Sequence, residues 1–546
     1  MMDAPDIWRE EHKPRYLGTT PPRDECVLRY VLTRQAKEHS ERVFIRQLEA
    51  EDISYGDFRD QVERVAAGLA GLGVKQGDTV TVWLPNSVDM VRIWFAINWL
   101  GAVFVPINTA YRGHVLRHVI QNAASEVLVT CADLMPRLHE IEAPSLTTIV
   151  EFGTSGEVPS GTRRVPADAL WSDDPCPDLD RDVQPWDPQS IIFTSGTTGP
   201  SKGVVSPYAQ LWESSGSDAF YMLDGEDCTL VCGPLFHIAG TLPVTAMLNR
   251  GGSFVLEEFS TDRFWDVVRR SEASFVILVG VMFDFISKQP PQPDDADNCL
   301  RKVMMIPLPD TAQDFATRFG VTVWTMYNMT ELNVPVMSPP DPTVTGSCGR
   351  ARQGNELQIV DEFDRPVAVG EIGELVIRAR SPWRLNSGYF RNDEASAKAW
   401  RNGWFHTGDA FRQDEEGNYF FVDRIKDTIR RRGENISSFE VEFEIIAHPK
   451  VRECAVVAVA AEQEDDVLAI VSPVDGCEID PAELFEFLRP RMAHFMLPRY
   501  IRVMKELPHT PTQKIEKYRL RQEGVTKETW DREAHGIRVR REKVSL

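Results

Sequence analysis

The chain of 546 residues carries 82 acidic and 60 basic side chains, which gives a formal net charge of −22. This excess of negative charge argues against nucleic acid or an anionic membrane surface as a partner. It also requires any anionic substrate to be held by locally placed lysines, arginines, backbone N–H groups or a metal.

The length exceeds what one hydrophobic core supports and predicts two or more domains. Nine dispersed cysteines without a C-x-x-C pair are typical of a reducing compartment, so the expected location is cytoplasmic. The most apolar stretch, residues 94–107, is too short to span a bilayer, and the polar residues 1–18 show no secretory signal.

Helical and strand patterns alternate along the first part of the chain. The segments that predict a helix or a strand are, in order, 27–38, 43–45, 57–72, 79–84, 87–100, 125–131 and 146–152. This alternation predicts an α/β fold with parallel-rich sheets flanked by helices. Residues 153–189 are rich in Pro, Asp, Gly and Ser and are interpreted as a surface connection.

The patterns change in the last third of the chain. Strand alternation with glycine turns predicts a small antiparallel β subdomain at about residues 345–425. A basic turn follows Lys426, and the remaining residues predict a small α+β unit. The sequence therefore predicts an N-terminal domain of residues 1–425 and a C-terminal domain of residues 426–546.

A glycine- and hydroxyl-rich stretch, residues 194–203, follows an apolar run. The residues that equip it to bind phosphate are Thr194, Ser195, Gly196, Thr197, Thr198, Gly199 and Lys202. Glycines let backbone N–H groups approach a ligand, hydroxyls add donors, and the lysine adds positive charge, which together suit a polyphosphate. The spacing is not that of a Walker A loop, and a solvated loop is an alternative at this point.

Further downstream, five residues have side chains suited to a nucleotide. Tyr327 can stack on a purine, Thr330 can donate to a phosphate, and Glu331 is a hard oxygen ligand suited to Mg²⁺. Asp409 can accept from both ribose hydroxyls, and Arg424 offers a fixed fork to ribose or phosphate. Taken alone, each is also explained as a strand end, a turn acid or a surface ion pair.

The whole stretch 194–203 resembles the phosphate loop of the adenylate-forming superfamily of acyl- and aryl-CoA synthetases, luciferases and adenylation domains. The resemblance runs from about residue 30 to 525. Segments 301–309, 414–424 and 432–437 are similar to the crotonobetaine/carnitine–CoA ligase group and its acyl-CoA ligase relatives. The resemblance to this superfamily implies a large N-terminal domain and a mobile C-terminal lid. It also implies Mg²⁺ as a cofactor and ATP and CoA as co-substrates.

The same resemblance implies roles for residues that composition alone leaves open. Lys514 falls on the catalytic lysine of the C-terminal motif, and Lys426 falls on the hinge. Arg432 and Gly433 match residues that approach CoA. His237 matches a position beside the carboxylate pocket, although its apolar setting alone favours a packed core histidine. The catalytic set implied is Lys514, Thr330, Glu331 and His237.

Three departures from the family motifs stand out. Asn328 replaces a glycine, and because Asn tolerates left-handed backbone we expect the geometry to survive while the side chain crowds the site. Gln513 also stands where glycine is usual. Residues 306–309 replace a Gly-Ala-Ala-Pro turn, and the nucleotide-binding positions carried over from it are Leu308 and Pro309. The added bulk is expected to reshape the acid pocket.

The sequence thus predicts an ATP-dependent carboxylate–CoA ligase that forms an acyl-adenylate and then a thioester. Its expected partners are a small carboxylic acid, ATP and CoA, without nucleic acid or a membrane span. Oligomeric state stays open, with a homodimer as one alternative. Two other functions also stay open: acyl transfer to a carrier protein or luciferase-type oxygenation, and a catalytically impaired nucleotide-binding homologue.

Overall fold

The computed structural model describes residues 20–154, 158–194, 201–216, 218–279, 282–424, 428–431, 434–461, 464–508, 515 and 517–539. Several residues singled out above lie outside these ranges: 195–199, Lys426, Arg432, Gly433, Gln513 and Lys514. Arg424 is described through its backbone alone. Below, the N-terminal region means the described residues up to 424, and the C-terminal region means those from 428 onward.

The helices of the described residues are spread over both regions. In chain order they are α1 Arg23–Cys26, α2 Leu28–Glu38, α3 Tyr55–Gly71, α4 Val88–Trp99, α5 Gly113–Ala123, α6 Met135–Leu138, α7 Tyr208–Ser215, α8 Ile238–Arg250, α9 Phe264–Ser271, α10 Met282–Ser287, α11 Ala312–Phe319, α12 Asp393–Ala399, α13 Ser438–Ile446, α14 Pro481–Leu488 and α15 Lys517–Glu523, with short 3₁₀ turns at Ala132–Leu134 and Ala167–Leu170. Within the described ranges, none of these helices combines the length and apolar character that crossing a bilayer requires.

The strands occupy the following positions in chain order. They are β1 Val43–Arg46, β2 Ile53–Ser54, β3 Thr79–Trp83, β4 Val103–Pro106, β5 Val127–Cys131, β6 Thr148–Phe152, β7 Arg163–Pro166, β8 Pro188–Thr194, β9 Lys202–Pro207, β10 Cys228–Val231, β11 Ser253–Leu256, β12 Phe275–Val279, β13 Lys302–Ile306, β14 Thr322–Trp324, β15 Met326–Tyr327, β16 Val336–Met337, β17 Gly349–Ala351, β18 Asn355–Val360, β19 Gly373–Ala379, β20 Trp400–Arg401, β21 Trp404–Gln413, β22 Asn418–Arg424, β23 Thr428–Arg431, β24 Glu434–Ser437, β25 Val451–Ala460, β26 Asp465–Pro473, β27 Tyr500–Val503 and β28 Trp530–Asp531.

Two seven-stranded sheets form the body of the N-terminal region, in the orders β14-β13-β12-β10-β11-β1-β2 and β7-β6-β5-β3-β4-β8-β9. Their strands are parallel except at one edge, where β2 and β9 run antiparallel to their neighbours. Strands such as β5 are buried along their whole length, as expected where helices cover both faces. The predicted α/β architecture is confirmed.

The helices between these sheets begin where the sequence supplies a cap. The Ser54 side chain accepts from the N–H of Asp57 at the start of α3, and Ser87 does the same for Met90 in α4. Aromatic rings then bring the two helices together: the centroids of Phe58 and Phe95 are 5.2 Å apart. Predicted helix and strand positions agree with the structure here because the apolar periodicity is local and strong.

The last part of the N-terminal region forms an antiparallel sheet, in the order β15-β16-β17-β22-β21-β19-β18. It begins earlier than the predicted subdomain at about 345, because β15 and β16 already belong to it. A second difference concerns residues 153–189: β7 within them pairs in parallel with β6 and extends the sheet. The composition of that segment concealed this short edge strand.

The C-terminal region contains the hairpin β23-β24 and the four-stranded sheet β25-β26-β27-β28. Helices α13 and α14 pack against it, which agrees with the predicted α+β unit. The final strand, β28, pairs with β27, so the segment after α15 returns to the same sheet. The domain boundary at 425/426 stays a prediction.

Candidate active site

A direct hydrogen bond joins Tyr327 at the end of β15 to Asp409 in β21. The phenol donates to the carboxylate across 2.6 Å, and both residues are buried. The ring of Tyr327 also meets Phe411 edge-on, with centroids 4.7 Å apart. The structure thus brings together two residues that the sequence singled out independently.

A polar network fixes the turn before Asp409. Gly408, at φ +73°, donates its N–H to Glu374 across 2.9 Å. The imidazole of His406 lies 3.0 Å from the other oxygen of that carboxylate. Although burial alone raises the pKa of Glu374, the hydrogen bonds from His406 and Gly408 hold it below its ordinary value. Sequence reasoning missed Glu374, which no motif marks.

The backbone register of the antiparallel sheet pairs Asp409 with Arg424. In the β21–β22 ladder their Cα atoms are direct partners. Two residues expected to contact the ribose therefore occupy opposite positions on neighbouring strands.

Glu331 is linked to the phosphate-loop strand through Tyr389, which the sequence analysis did not select. The Tyr389 hydroxyl donates to Glu331 across 3.0 Å, and the Lys202 ammonium lies 4.9 Å from the centroid of the Tyr389 ring. Lys202 opens β9 opposite Thr194, the last residue of β8. The two described ends of the predicted phosphate loop are therefore adjacent to the Glu331 segment.

The turn that carries Thr330 and Glu331 is held by backbone contacts. Gln210 donates its amide to the Thr330 carbonyl across 2.9 Å, and the Asn386 N–H donates to the Glu331 carbonyl across 3.1 Å. Both site residues are buried. A single buried carboxylate fits Mg²⁺, which keeps several waters and is usually held by one or two carboxylates plus substrate phosphates.

Asn328 uses its side chain differently from what was expected. Its backbone is not left-handed; instead its Oδ1 accepts from the N–H of Val334, 2.9 Å away, and Val334 has the positive φ of +57°. The replacement therefore stabilises the strained end of the loop. Its Nδ2 atom is buried and has no hydrogen-bond partner among the residues that the structure describes.

The substituted turn at residues 306–309 divides into a buried and an exposed part. Leu308 is 6% exposed and packs in the apolar cluster that contains Met305 and Val323. Pro309 is partly exposed, and Pro307 is exposed. The added bulk of Leu308 is thus taken up by the core. A nucleotide contact of Leu308 or Pro309 stays a prediction.

His237 lies at a junction between the two regions rather than inside a packed core. It precedes α8, its side chain is 30% exposed, and its Nε2 is 2.8 Å from a carboxylate oxygen of Glu434. The other Glu434 oxygen accepts from Asn108 across 3.5 Å. The side-chain carboxylate of Glu434, from the C-terminal region, therefore lies beside the residue that the resemblance assigns to the carboxylate pocket.

Two more glutamates of the C-terminal region contact the N-terminal region. Glu440 accepts from the backbone N–H of Ser201 across 2.9 Å and from its hydroxyl. Glu444 accepts from the N–H of His114 across 3.1 Å. The sequence analysis missed both, because a helix rich in glutamate ordinarily indicates a solvated face.

A cavity of about 300 Å³ lies at the boundary of the two regions. Its lining comes from both regions and consists of Thr109, Ala110, Arg112, Arg137, Arg489, Met492, His494, Leu497, Arg538 and Val539. Four arginines and a histidine line the cavity, and no carboxylate belongs to its described lining, although Arg489 also pairs with Glu486 and Arg137 donates to the Thr109 carbonyl. Guanidinium groups of this kind suit an anionic ligand.

Two parallel sheets, an antiparallel sheet that carries Asp409 and a C-terminal α+β region define the fold of adenylate-forming ligases. A double mutant of the o-succinylbenzoate CoA synthetase of Bacillus subtilis, bound with a product analogue, superposes with a TM-score of 0.78. It is 23% identical and covers 90% of this chain and 97% of its own. The same synthetase in complex with AMP gives a TM-score of 0.64 at 24% identity, with the same coverage.

The sequence comparisons extend over both regions. A model of the AMP-binding enzyme family matches residues 32–390, and a model of the AMP-binding enzyme C-terminal domain matches residues 440–514. The chain belongs to the AMP-binding enzyme family. The crotonobetaine/carnitine–CoA ligase of Salmonella heidelberg (strain SL476) is 33% identical over 493 residues, which cover 86% of this chain and 93% of the relative. The predicted resemblance to that group is confirmed.

Proposed function

We propose that the protein is an ATP-dependent, AMP-forming carboxylate–CoA ligase. In the first half-reaction an oxygen of the acid attacks the α-phosphorus of ATP, and pyrophosphate leaves. In the second, the thiol of CoA loses its proton and attacks the acyl carbon, and AMP leaves. No protein nucleophile is needed, so positioning and charge stabilisation supply the rate.

The nucleotide half of this proposal is supported by the contacts around Asp409 and Glu331. Asp409, fixed by Tyr327, would accept from the ribose hydroxyls. Lys202 would neutralise phosphate charge, and the Thr330 hydroxyl would donate a hydrogen bond to a phosphate oxygen. Glu331, oriented by Tyr389, would hold Mg²⁺, which supplies Lewis-acid stabilisation of the phosphates when bound.

The acid half rests on the junction at His237. A carboxylate substrate beside this residue would accept a hydrogen bond from Nδ1 of a doubly protonated imidazole, whose Nε2 lies against Glu434. We assign Lys514 the neutralisation of charge on the attacking carboxylate and the α-phosphate. Lys426 is proposed as the hinge of the C-terminal region.

The CoA half is supported by the arginine-lined cavity, defined by the ten residues given above. CoA carries several phosphate charges at its nucleotide end, and planar guanidinium groups bind phosphate oxygens in pairs. Arg432 and Gly433 are proposed to contact CoA as the family motif implies. The basic cavity at the boundary of the two regions is the observation that favours CoA over a carrier protein as acyl acceptor.

The test is a reaction with ATP, Mg²⁺, CoA and a panel of short, branched, aromatic, polycyclic and betaine-type acids. Betaine-type acids come first because the named relatives are crotonobetaine/carnitine–CoA ligases. We expect acid-dependent pyrophosphate release and, with CoA, a thioester. Pyrophosphate release without a thioester would favour transfer to a carrier protein, and no release with any acid would favour a non-catalytic nucleotide-binding role.

A further inference from the structure

Helix α13 carries three glutamates, Glu440, Glu442 and Glu444, at alternate positions. Residues four apart lie on one helix face, and Glu440 and Glu444 both contact the N-terminal region. Glu442 contacts its own region: it accepts from the N–H of Val456 across 2.6 Å and pairs with Lys517 at 2.5 Å. One face of α13 is therefore a docking face, and Glu442 marks its other side.

Glu440 is buried at the end of the phosphate loop. The residue is 5% exposed, and both the N–H and the hydroxyl of Ser201 donate to one of its oxygens. His118 donates through Nε2 to the Ser201 carbonyl across 2.8 Å, and Tyr111 shares a hydrogen bond with the Ser201 side chain. Because a buried carboxylate is costly without such donors, this contact specifies one position of the C-terminal region.

Glu444 makes the second contact of the docking face. Its side chain is fully buried, and it accepts from the His114 N–H at the start of α5, where a negative charge is favoured. Its other oxygen accepts from Arg491 across 2.8 Å. The ring of Phe443 stacks on His114, with centroids 3.8 Å apart. His114 and Arg491 each follow, by two residues, an arginine that lines the cavity, Arg112 and Arg489.

The cavity exists only while the two regions are docked. Arg112 and Arg137 come from the N-terminal region, whereas Arg489 and Arg538 come from the C-terminal region. Any movement that separates Glu440 from Ser201 also separates the two halves of the lining. The contact at Glu440 is therefore coupled to the cavity by geometry.

We propose that Glu440 is a positioning residue for the second half-reaction: it docks the C-terminal region on the end of the phosphate loop and so assembles the CoA-binding cavity. The inference rests on the proposed ligase function. In the proposed mechanism the first half-reaction brings Lys514 to the nucleotide through a different position of the C-terminal region, and so does not use this contact.

The test compares Glu440→Ala with Glu442→Ala. The second substitution removes a carboxylate of the same helix whose contacts, with Val456 and Lys517, lie within the C-terminal region. Thioester formation from a supplied acyl-adenylate is measured against CoA concentration, and pyrophosphate release is measured without CoA. We expect Glu440→Ala to lower kcat/KM for CoA by about tenfold or more and to spare pyrophosphate release, because a hydrogen bond to a charged group is lost. Glu440→Gln, which keeps an acceptor for Ser201, should recover most of the loss.

Equal kcat/KM for CoA in Glu440→Ala and Glu442→Ala would overturn the proposal, as would an equal fall in both half-reactions. A wild-type protein that forms no thioester would overturn the ligase function instead. Docking itself is measured as the distance between two labels, one on Cys477 of the C-terminal region and one on a cysteine that replaces Glu140 of the N-terminal region. Both positions are exposed. We expect Glu440→Ala to broaden this distance distribution, and an unchanged distribution would refute the docking role.

Discussion

The contacts around Asp409 and Glu331 differ in kind from those at Glu440 and Glu444. The former join side chains within the N-terminal region, as between Tyr327 and Asp409 at 2.6 Å. The latter set carboxylates of the C-terminal region against backbone N–H groups of the N-terminal region. The first arrangement lies within one region, whereas the second joins the two regions, so the proposed hinge motion would make and break its contacts together.

The energetics of Glu440 support this distinction. Burial raises its pKa to about 7, and the hydrogen bonds from Ser201 oppose that shift only in part. In the docked state, desolvation therefore disfavours ionisation of Glu440 by more than the hydrogen bonds from Ser201 favour it. A contact of this kind suits the proposed mechanism, in which two half-reactions would use two arrangements of one site.

The largest expected effect separates the two half-reactions at Lys514. Lys514→Ala should lower the rate of pyrophosphate release by about 10²- to 10³-fold, the usual consequence of removing a group that stabilises transition-state charge. Thioester formation from a supplied acyl-adenylate should be spared. Single-turnover assays of each step measure this, with the exposed Lys505→Ala as control. Equal losses in both steps would contradict the assigned role.

The next effect isolates the CoA cavity. Arg538→Gln should raise the KM for CoA about tenfold, because a charge-assisted hydrogen bond to phosphate is lost. The KM for pantetheine, which lacks the nucleotide end, should not change. Arg519→Gln is the control, since Arg519 is an exposed arginine of α15 that does not line the cavity. A parallel rise in both KM values would show that Arg538 acts on the fold rather than on phosphate.

Local patterns explain why much of the fold was predictable while its contacts were not. Tyr327 and Asp409 were each selected from their own motif, but their hydrogen bond joins strands 82 residues apart. Glu440 belongs to a glutamate-rich helix that looks solvated in sequence, and only tertiary packing buries it. Arg538 lies beyond the segment matched by the C-terminal family model, which ends at residue 514.

A smaller effect is expected within the nucleotide cluster. Tyr389→Phe removes the hydroxyl that donates to Glu331 and keeps the ring beside Lys202. The Mg²⁺ concentration for half-maximal pyrophosphate release should rise by up to about tenfold, since the carboxylate loses one orienting hydrogen bond. Tyr389→Leu, which also removes the ring, should in addition raise the KM for ATP. An unchanged Mg²⁺ requirement in Tyr389→Phe would refute the positioning of Glu331.

The smallest expected effect is a pH dependence of docking. The pKa of Glu440 is about 7 when docked, against an ordinary value of 4.5. The docked state therefore holds the proton more tightly. The contribution of Glu440 to the stability of the docked state is therefore complete at pH values below 4.5, the ordinary pKa, and is lost as the pH rises through 7. The groups that surround this carboxyl are Ser201, Tyr111 and His118, the last through the Ser201 carbonyl.

We accordingly expect the KM for CoA of the wild-type protein, relative to that of Glu440→Gln, to rise a few-fold from pH 6 to pH 8. The effect stays small because Glu434 and Glu444 also hold the C-terminal region against the N-terminal region. Taking the ratio cancels ionisation of the CoA thiol, which affects both proteins alike. Glu442→Gln should follow the wild-type profile, since the contacts of Glu442 lie within the C-terminal region and do not change on docking. A wild-type ratio that is flat with pH would mean that Glu440 docks without titrating.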